Sequence, residues 1–554
     1  MTAESPPVDS RSFRFQALVL FLFSFWLLAF QTGSASLWNI DEPNNAQALK
    51  EMLTHANLVV PTFNGHLRPD KPILNYWLMY AGVRLLGMDS WGLRIGSVTL
   101  GALLVLYLAL ALRRLLGAQA ALLAGLFTAT ALHSQILFRA AVPDPLLVLS
   151  VTVALVSYLR GYLFPEERNR DYAAAYVAMA LGTLAKGPVA FLLPGLIITV
   201  FLLVRKDLAH LWREGRLVWG IPLFVLITLP WYVAVGLETR WQWDTLFLAQ
   251  QNVGRYTGAM QGHKGPVVYY LFTIFLGLLP WSVFLPQALA GAWRHRGPDG
   301  WRSRPELLFL GLWALLWTAF FSLGATKLPN YVWEAYPPLL ALLGWRVDAA
   351  LREDDPLSRR GILVSLGFLA LVGAALVLLG ATLVPEAIPP LGSVAYLGLP
   401  YLAGALLALA FAWRGSLTGI LGGLGSAAVA LTFCLELLLA PSLDALKPSV
   451  AMGHLIRGLE GPAPYSLATW HWWEPSFLFY AGRGAMRAQQ IHNPGKDIPG
   501  ILATRPGPLF LVLPAKDLAR LRRSLSATVR LHELYAGFEL YNRQDIALVK
   551  INGK

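Results

Sequence analysis

Two adjacent carboxylates, Asp41 and Glu42, stand in Trp38-Asn39-Ile40-Asp41-Glu42-Pro43-Asn44-Asn45-Ala46, a few residues after a hydrophobic run ends near Gly33. Acids this close to lipid are costly unless they do chemistry or find partners. Further on, Asp70-Lys71-Pro72 sets an acid beside a lysine, Val142-Pro143-Asp144-Pro145 holds an acid between prolines, and Thr326-Lys327-Leu328-Pro329-Asn330-Tyr331 joins a cation to a phenol. Carboxylates that take a proton from an acceptor and cations that hold a phosphate are the parts of a group transfer. Asp41 suits the general base, or the hydrogen-bond acceptor that orients a nucleophile; the competing role is a helix N-cap, since Pro43 suits a first turn. Glu42 either assists Asp41 or answers the helix dipole. Asp144 either supports the site or is a turn residue.

On the cationic side, Lys71 offers a compact charge to a phosphodiester, with interfacial snorkelling as the alternative. Asp70 orients that lysine or forms an exposed ion pair. Arg255 presents a planar fork, Tyr331 a hydroxyl and Lys327 a further ammonium to the same group; each could instead anchor a helix end at the membrane interface. His263, in Gln261-Gly262-His263-Lys264-Gly265, either touches the acceptor or is a solvated loop residue. No acid pair near these residues has Asp-x-Asp spacing, and His66, His471 and Glu474 have no diagnostic arrangement, so no obligatory metal or cofactor is expected.

The elements that must position these residues belong to a membrane. With 56% hydrophobic and 14% charged residues, 20 Trp and a mean hydropathy of +0.52, the chain far exceeds the apolar content of soluble domains. The net charge of +13 does not point to nucleic acid, because the basic residues fall in short clusters between hydrophobic runs. The single cysteine, Cys434, excludes an internal disulfide. At roughly 20 apolar residues per span there are about thirteen spans. They lie near 15–33, 91–112, 118–138, 145–164, 173–185, 188–204, 217–236, 267–290, 306–323, 333–350, 361–384, 395–413 and 417–439.

Arg11 and Arg14 precede the first run, which reads as a retained signal anchor with a cytoplasmic amino terminus. Alternate connections then carry Arg113-Arg114, Arg205-Lys206 and Arg359-Arg360, as the positive-inside rule requires. The other side holds isolated charges, Arg139, Asp144, Lys186 and Lys327, that need a different reason. Residues 1–439 read as a transmembrane catalytic domain with a long external loop over about 34–90. In that loop Glu42–His55 and Pro72–Leu86 have the pattern of juxtamembrane helices, the second carrying Ile73, Tyr76, Trp77 and Tyr80. Residues 440–554, with apolar stretches at 509–513 and 546–549 and a helical pattern over 516–523, read as a small external α/β domain.

The order Asp41-Glu42-Pro43, then Val60-Pro61-x-x-Asn64-Gly65, then Asp70-Lys71-Pro72 leading to Tyr76-Trp77, resembles the bacterial aminoarabinose transferases of lipid A and the related protein O-mannosyltransferases. Asn252-Val253-Gly254-Arg255-Tyr256, Gly277-Leu278-Leu279-Pro280-Trp281 and Thr326-Lys327-Leu328-Pro329-Asn330-Tyr331 match further motifs in order. These are GT-C class, inverting glycosyltransferases that use polyprenyl-phosphate sugars. The resemblance implies a polytopic α-helical GT-C fold, an active site on the periplasmic face of the bacterial inner membrane, a catalytic acid at Asp41 with a supporting acid at Asp144, and a lipid-linked donor. The chain departs from the family at Asn44-Asn45, where the family has Arg-Tyr, and at Asp70, where the aminoarabinose enzymes carry Glu, so the sugar is not carried over. The expected activity is transfer of one sugar from an undecaprenyl-phosphate-like carrier to lipid A or another glycolipid, with Tyr76 supporting the site. A protein hydroxyl is the alternative acceptor. A transporter or flippase would place charges at mid-span in related halves, whereas these cluster at one face without an internal repeat.

Overall fold

The computed structural model describes residues 10–38, 40–254, 256, 265–295, 303–352, 357–526, 529–540 and 542–553. Helices occupy the segments expected to span the membrane. Among the described residues, eight are long and apolar enough to cross a membrane, and a ninth span arises if the bent pair Tyr269–Gly277 and Trp281–Arg294, turned by 114°, counts as one. The remaining segments are shorter, as in Ala118–Thr130 and Val189–Arg205, or more polar, as in Arg168–Lys186. The protein is therefore a multi-pass membrane protein.

Two of the interrupted helices meet at their breaks. The helix Ala118–Thr130 stops where Ala131 is extended, and the backbone N–H of Leu132 donates to Leu279 O (3.0 Å) at the break of the bent pair. Backbone freed at membrane depth must find such a partner, because lipid offers none. Close helix contacts use glycine: a Cβ on Gly373 would lie 2.5 Å from Leu402 N and 2.9 Å from Gly398 O, so Arg359–Ala381 and Ala395–Trp413 touch backbone to backbone. Large apolar side chains on the outer faces, such as Val218, Leu226 and Leu237 of Leu217–Thr239, stay exposed, as a lipid-facing surface requires.

Between the first and second spans lie two juxtamembrane helices, Asp41–Thr54 and Leu74–Leu86, close to their expected bounds. A hairpin of β1 (Thr62–Phe63) and β2 (His66–Leu67) separates them, turning through Asn64 and Gly65 at φ 52° and 74°. Asn-Gly is the favoured pair for a two-residue turn with both φ positive.

The C-terminal region folds as a five-stranded sheet in the order β4 (Ala488–Gln490), β3 (Ser466–Thr469), β5 (Leu509–Pro514), β7 (Gln544–Asn552), β6 (Arg530–Glu539). β3 runs parallel to β4 and β5, while β7 is antiparallel to both β5 and β6. Every residue of β5 is buried, because both sheet faces are covered. Phe510 and Val512 pack with Met452 and Ile456 on one face, and Leu509, Leu511 and Leu513 with Ile498 and Leu521 on the other.

This region grips the loop that carries Asp41. Asn64 exchanges hydrogen bonds with the backbone of Ala488 on edge strand β4 (3.1 and 2.9 Å), extending the sheet by one side chain. Glu51, fully buried, braces the same turn by accepting from Thr62 Oγ1, Asn64 N and Gly65 N. Lys50 donates to the carbonyls of Phe479 and Gly482 at the end of the helix Pro475–Ala481. Burial, with Arg457 nearby, lowers its pKa to about 8. Asp444 accepts from the backbone N–H and the hydroxyl of Ser36 (2.8 and 2.6 Å), and Tyr480 Oη accepts from Leu37 N (2.8 Å).

Candidate active site

Ile40, not Asp41, is the N-cap of the helix Asp41–Thr54, and no side chain caps it. Asp41 is the first helical residue and its side chain is exposed. Its neighbour is held differently. Glu42, 1% exposed, takes a two-point contact from Arg94, also 1% exposed, at 2.8 and 2.7 Å, and accepts from the backbone N–H of Trp38 and of Ala141 at 2.6 Å each. Arg94 in turn donates to the carbonyls of Thr32, Ala35 and Ser36. Glu42 thus ties the end of the first span, the second span and the turn before Asp144 into one knot. Two adjacent acids carry opposite assignments, one open to water and one consumed by the scaffold.

Arg68 links Asp41 to the lysine side. Its guanidinium bonds Asp70 (2.9 Å), Tyr76 Oη (3.1 Å) and Asn45 Oδ1 (3.3 Å), and lies close enough to Asp41 to feel its charge. Asp70 also accepts from Gln251 Nε2 (3.1 Å), on the π-helical turn Phe247–Gly254. The two anchors leave Lys71, the next residue, in the wall of a cavity of about 370 Å³. Asn45, one of the two residues that depart from the family pattern, also donates to Ala141 O (3.1 Å).

The cavity has two kinds of wall. Leu147, Val189, Leu192, Phe320 and Phe321 form an apolar channel, while Lys71, Lys186, Gln251, Tyr331 and Glu334 bring polar groups to it. Lys186 is held by Asp144 at 2.5 Å and lies 5.4 Å from the centre of the Tyr331 ring; Asn330 Nδ2 also donates to Asp144 (2.8 Å). Asp144, 4% exposed, therefore stands behind the cavity and fixes a cation that lines it. Lys71 and Tyr331 both line this cavity, as the sequence suggested, whereas Asp41 does not. Lys327 takes another place, donating to the carbonyls of Phe321, Ser322 and Gly324 at the end of the helix Pro305–Leu323. Arg255 and His263 lie outside the described residues. Among those residues no group of three His, Cys, Asp or Glu side chains is placed to hold a metal.

Sequence reasoning passed over Arg68, Arg94, Gln251 and Glu334, and noted Lys186 only as an isolated charge. Arg94 and Glu334 carried a signal, an ionisable residue inside an apolar run. Arg68, in a polar turn, carried none.

The profile of the family described as "Dolichyl-phosphate-mannose-protein mannosyltransferase" matches residues 70–233, from the Asp70-Lys71 element through several helices. An undecaprenyl phosphate-α-4-amino-4-deoxy-L-arabinose arabinosyl transferase of Pseudomonas paraeruginosa is 33% identical over 368 residues, 65% of this chain and 64% of that protein. One of the same description from Yersinia pestis is 31% identical over 335 residues, 59% of this chain and 58% of that one. The match thus spans less than two thirds of these relatives' length. The structure of ArnT from Cupriavidus metallidurans bound to undecaprenyl phosphate superposes with a TM-score of 0.78 at 23% identity, covering 96% of this chain and 97% of that one. The archaeal oligosaccharyltransferase AglB of Archaeoglobus fulgidus, in complex with an inhibitory peptide and a dolichol-phosphate, has a TM-score of 0.53 at 12% identity, covering 91% and 70%. The chain is therefore similar in sequence to the undecaprenyl-phosphate aminoarabinose transferases and has the GT-C membrane fold of the Cupriavidus structure.

Proposed function

We propose that this protein is a membrane glycosyltransferase that moves one sugar from an undecaprenyl-phosphate-like carrier to a glycolipid such as lipid A, by direct displacement. The observation that carries the reading is the cavity whose apolar channel ends in Lys71, Lys186 and Tyr331, beside the loop that exposes Asp41. The first isoprene units of a prenyl tail lie along the channel in this reading, and the phosphodiester meets Lys71 and the Tyr331 hydroxyl. The acceptor oxygen attacks the anomeric carbon as the bond from that carbon to the phosphate oxygen breaks. Polyprenyl phosphate leaves, its developing charge met by the ammonium. Where the acceptor is a hydroxyl, its proton passes to Asp41. Lys186, locked by Asp144, adds a fixed positive charge without reorganisation. These cations make a divalent metal unnecessary in this reading. The basic connections support an orientation with the amino terminus in the cytoplasm of a bacterial cell and the site and the sheet on the opposite side of the inner membrane.

The test is transfer of labelled sugar by the purified full chain from defined undecaprenyl-phosphate donors, offered lipid A or a Ser/Thr peptide, before and after exhaustive EDTA treatment. Transfer to lipid A at an unchanged rate after EDTA is the expected result. Transfer to peptide alone would make the protein an O-glycosyltransferase, and no transfer from any donor would sink the reading. A loss restored by magnesium would overturn the metal-free part alone.

A further inference from the structure

Two residues that line the cavity each carry a buried acceptor atom with no hydrogen-bond partner among the described residues. One is Oε1 of Glu334, a side chain 1% exposed in the 3-10 turn Pro329–Ala335; the other is Oε1 of Gln251 on the π-helical turn. The Gln251 orientation is set by Asp70, since a carboxylate can only accept and must face the amide nitrogen. Lys186 does not resolve the Glu334 side: its ammonium bonds Asp144 at 2.5 Å and, although close enough to feel the charge of Glu334, leaves Glu334 Oε1 without a partner. Unpaired buried acceptors are destabilising, and such groups in a cavity are normally completed by what fills it.

The chemistry of a lipid-linked sugar says which part of it can do so. A prenyl chain has no hydrogen-bond donor, and a phosphodiester at neutral pH has only acceptors. The sugar alone carries O–H or N–H groups. We infer that Glu334, together with Gln251, is the sugar-selecting element of this cavity, each offering an oxygen to a hydroxyl or amine of the donor's sugar. This rests on the function proposed above and deepens it. Glu334 does not touch the bond that breaks, so it sets which sugar is held and not the rate of displacement itself. A carboxylate accepts from a protonated amine more strongly than from a hydroxyl.

The experiment measures binding to the purified full chain of three probes: undecaprenyl phosphate, the same carrier bearing a neutral hexose, and the same carrier bearing an amino-pentose. Glu334→Leu is expected to weaken whichever sugar-bearing carrier the wild type prefers by roughly tenfold to a hundredfold, and to leave undecaprenyl phosphate unchanged. Gln251→Leu should show the same pattern with a smaller loss, and guards against a fold defect in the first variant. Glu334→Gln keeps an acceptor without its charge: loss confined to the amino-pentose carrier identifies an amine as the group held, and near-wild-type binding of both sugar-bearing carriers identifies a hydroxyl. An equal loss on the sugarless carrier would show that Glu334 acts through Lys186 on the phosphate and overturn the inference. Unchanged binding of all three by both leucine variants would also overturn it. Failure of the wild type to bind any carrier would strike the proposed function instead.

Discussion

The mouth of the site and the cavity beside it use charge in opposite ways. At the mouth, Glu42, Arg94, Glu51, Asp444 and Lys50 are engaged by backbone or by each other, and their product is position: they bring the end of the first span, the hairpin and the C-terminal sheet to one place. In the cavity, Glu334 and Gln251 keep unanswered oxygens, although Lys186 beside them bonds Asp144. Saturated polar groups hold a fold, whereas unsaturated ones in a cavity wait for a ligand. Asp41 makes the contrast within two residues, since it follows Ile40 into the same helical turn as Glu42 but stays exposed.

The strongest way to break this comparison is to remove charge from each side and ask what fails. Asp41→Asn should lower kcat by about 10²–10⁴ without moving the melting temperature, as loss of a general base does. A melting transition that falls with the activity would return Asp41 to the scaffold. Glu42→Ala should do the reverse. It leaves Arg94 buried without its partner, at a cost of about 3–5 kcal/mol, and lowers the yield of folded protein while activity per folded molecule persists. The paired replacement Glu42→Leu with Arg94→Met should recover most of that stability; if it does not, the knot is more than an ion pair.

A smaller effect tests a buried scaffold acid that faces another acid. Glu474, buried in the C-terminal region, takes hydrogen bonds from Ser449 and Ser476 through Oε2, and the Glu539 carboxyl stands within hydrogen-bonding reach of it. Burial first, then the neighbouring Glu539, raises its pKa to about 7 from 4.5. The neutral form is the one the fold prefers. Its contribution is therefore complete below pH 4.5 and is lost as pH rises through 7. Unfolding followed by the fluorescence of Trp470 and its neighbours should show wild type losing stability relative to Glu474→Gln across this range. Parallel pH profiles would mean that the acid is charged throughout.

Much of the fold was legible because its signals are local. Long hydrophobic runs mark helices, and short apolar stretches such as Leu509–Leu513 suit the strands of a small α/β region without knowledge of their neighbours. What local pattern does not show is where an apolar run is cut, as at Ala131, because that break is compensated by Leu279 O from another helix. The site divides in the same way. Lys71 and Tyr331 were found from their motifs and do share a cavity, whereas Lys327, in the same motif as Tyr331, spends its ammonium on three carbonyls.

The amino-acid sequence alone determined that this is a membrane protein with acids and cations gathered toward one face, since hydropathy and charge are properties of each segment by itself. Only the tertiary structure decided which of those charges are already answered. Glu42 meets Arg94 across 52 positions, Asp144 meets Lys186 across 42, and Asn64 meets the sheet edge across 424. An ion pair acts through space and leaves no mark on the chain between its partners, so the difference between Asp41 and Glu42 could be seen only once Arg94 had been brought beside one of them.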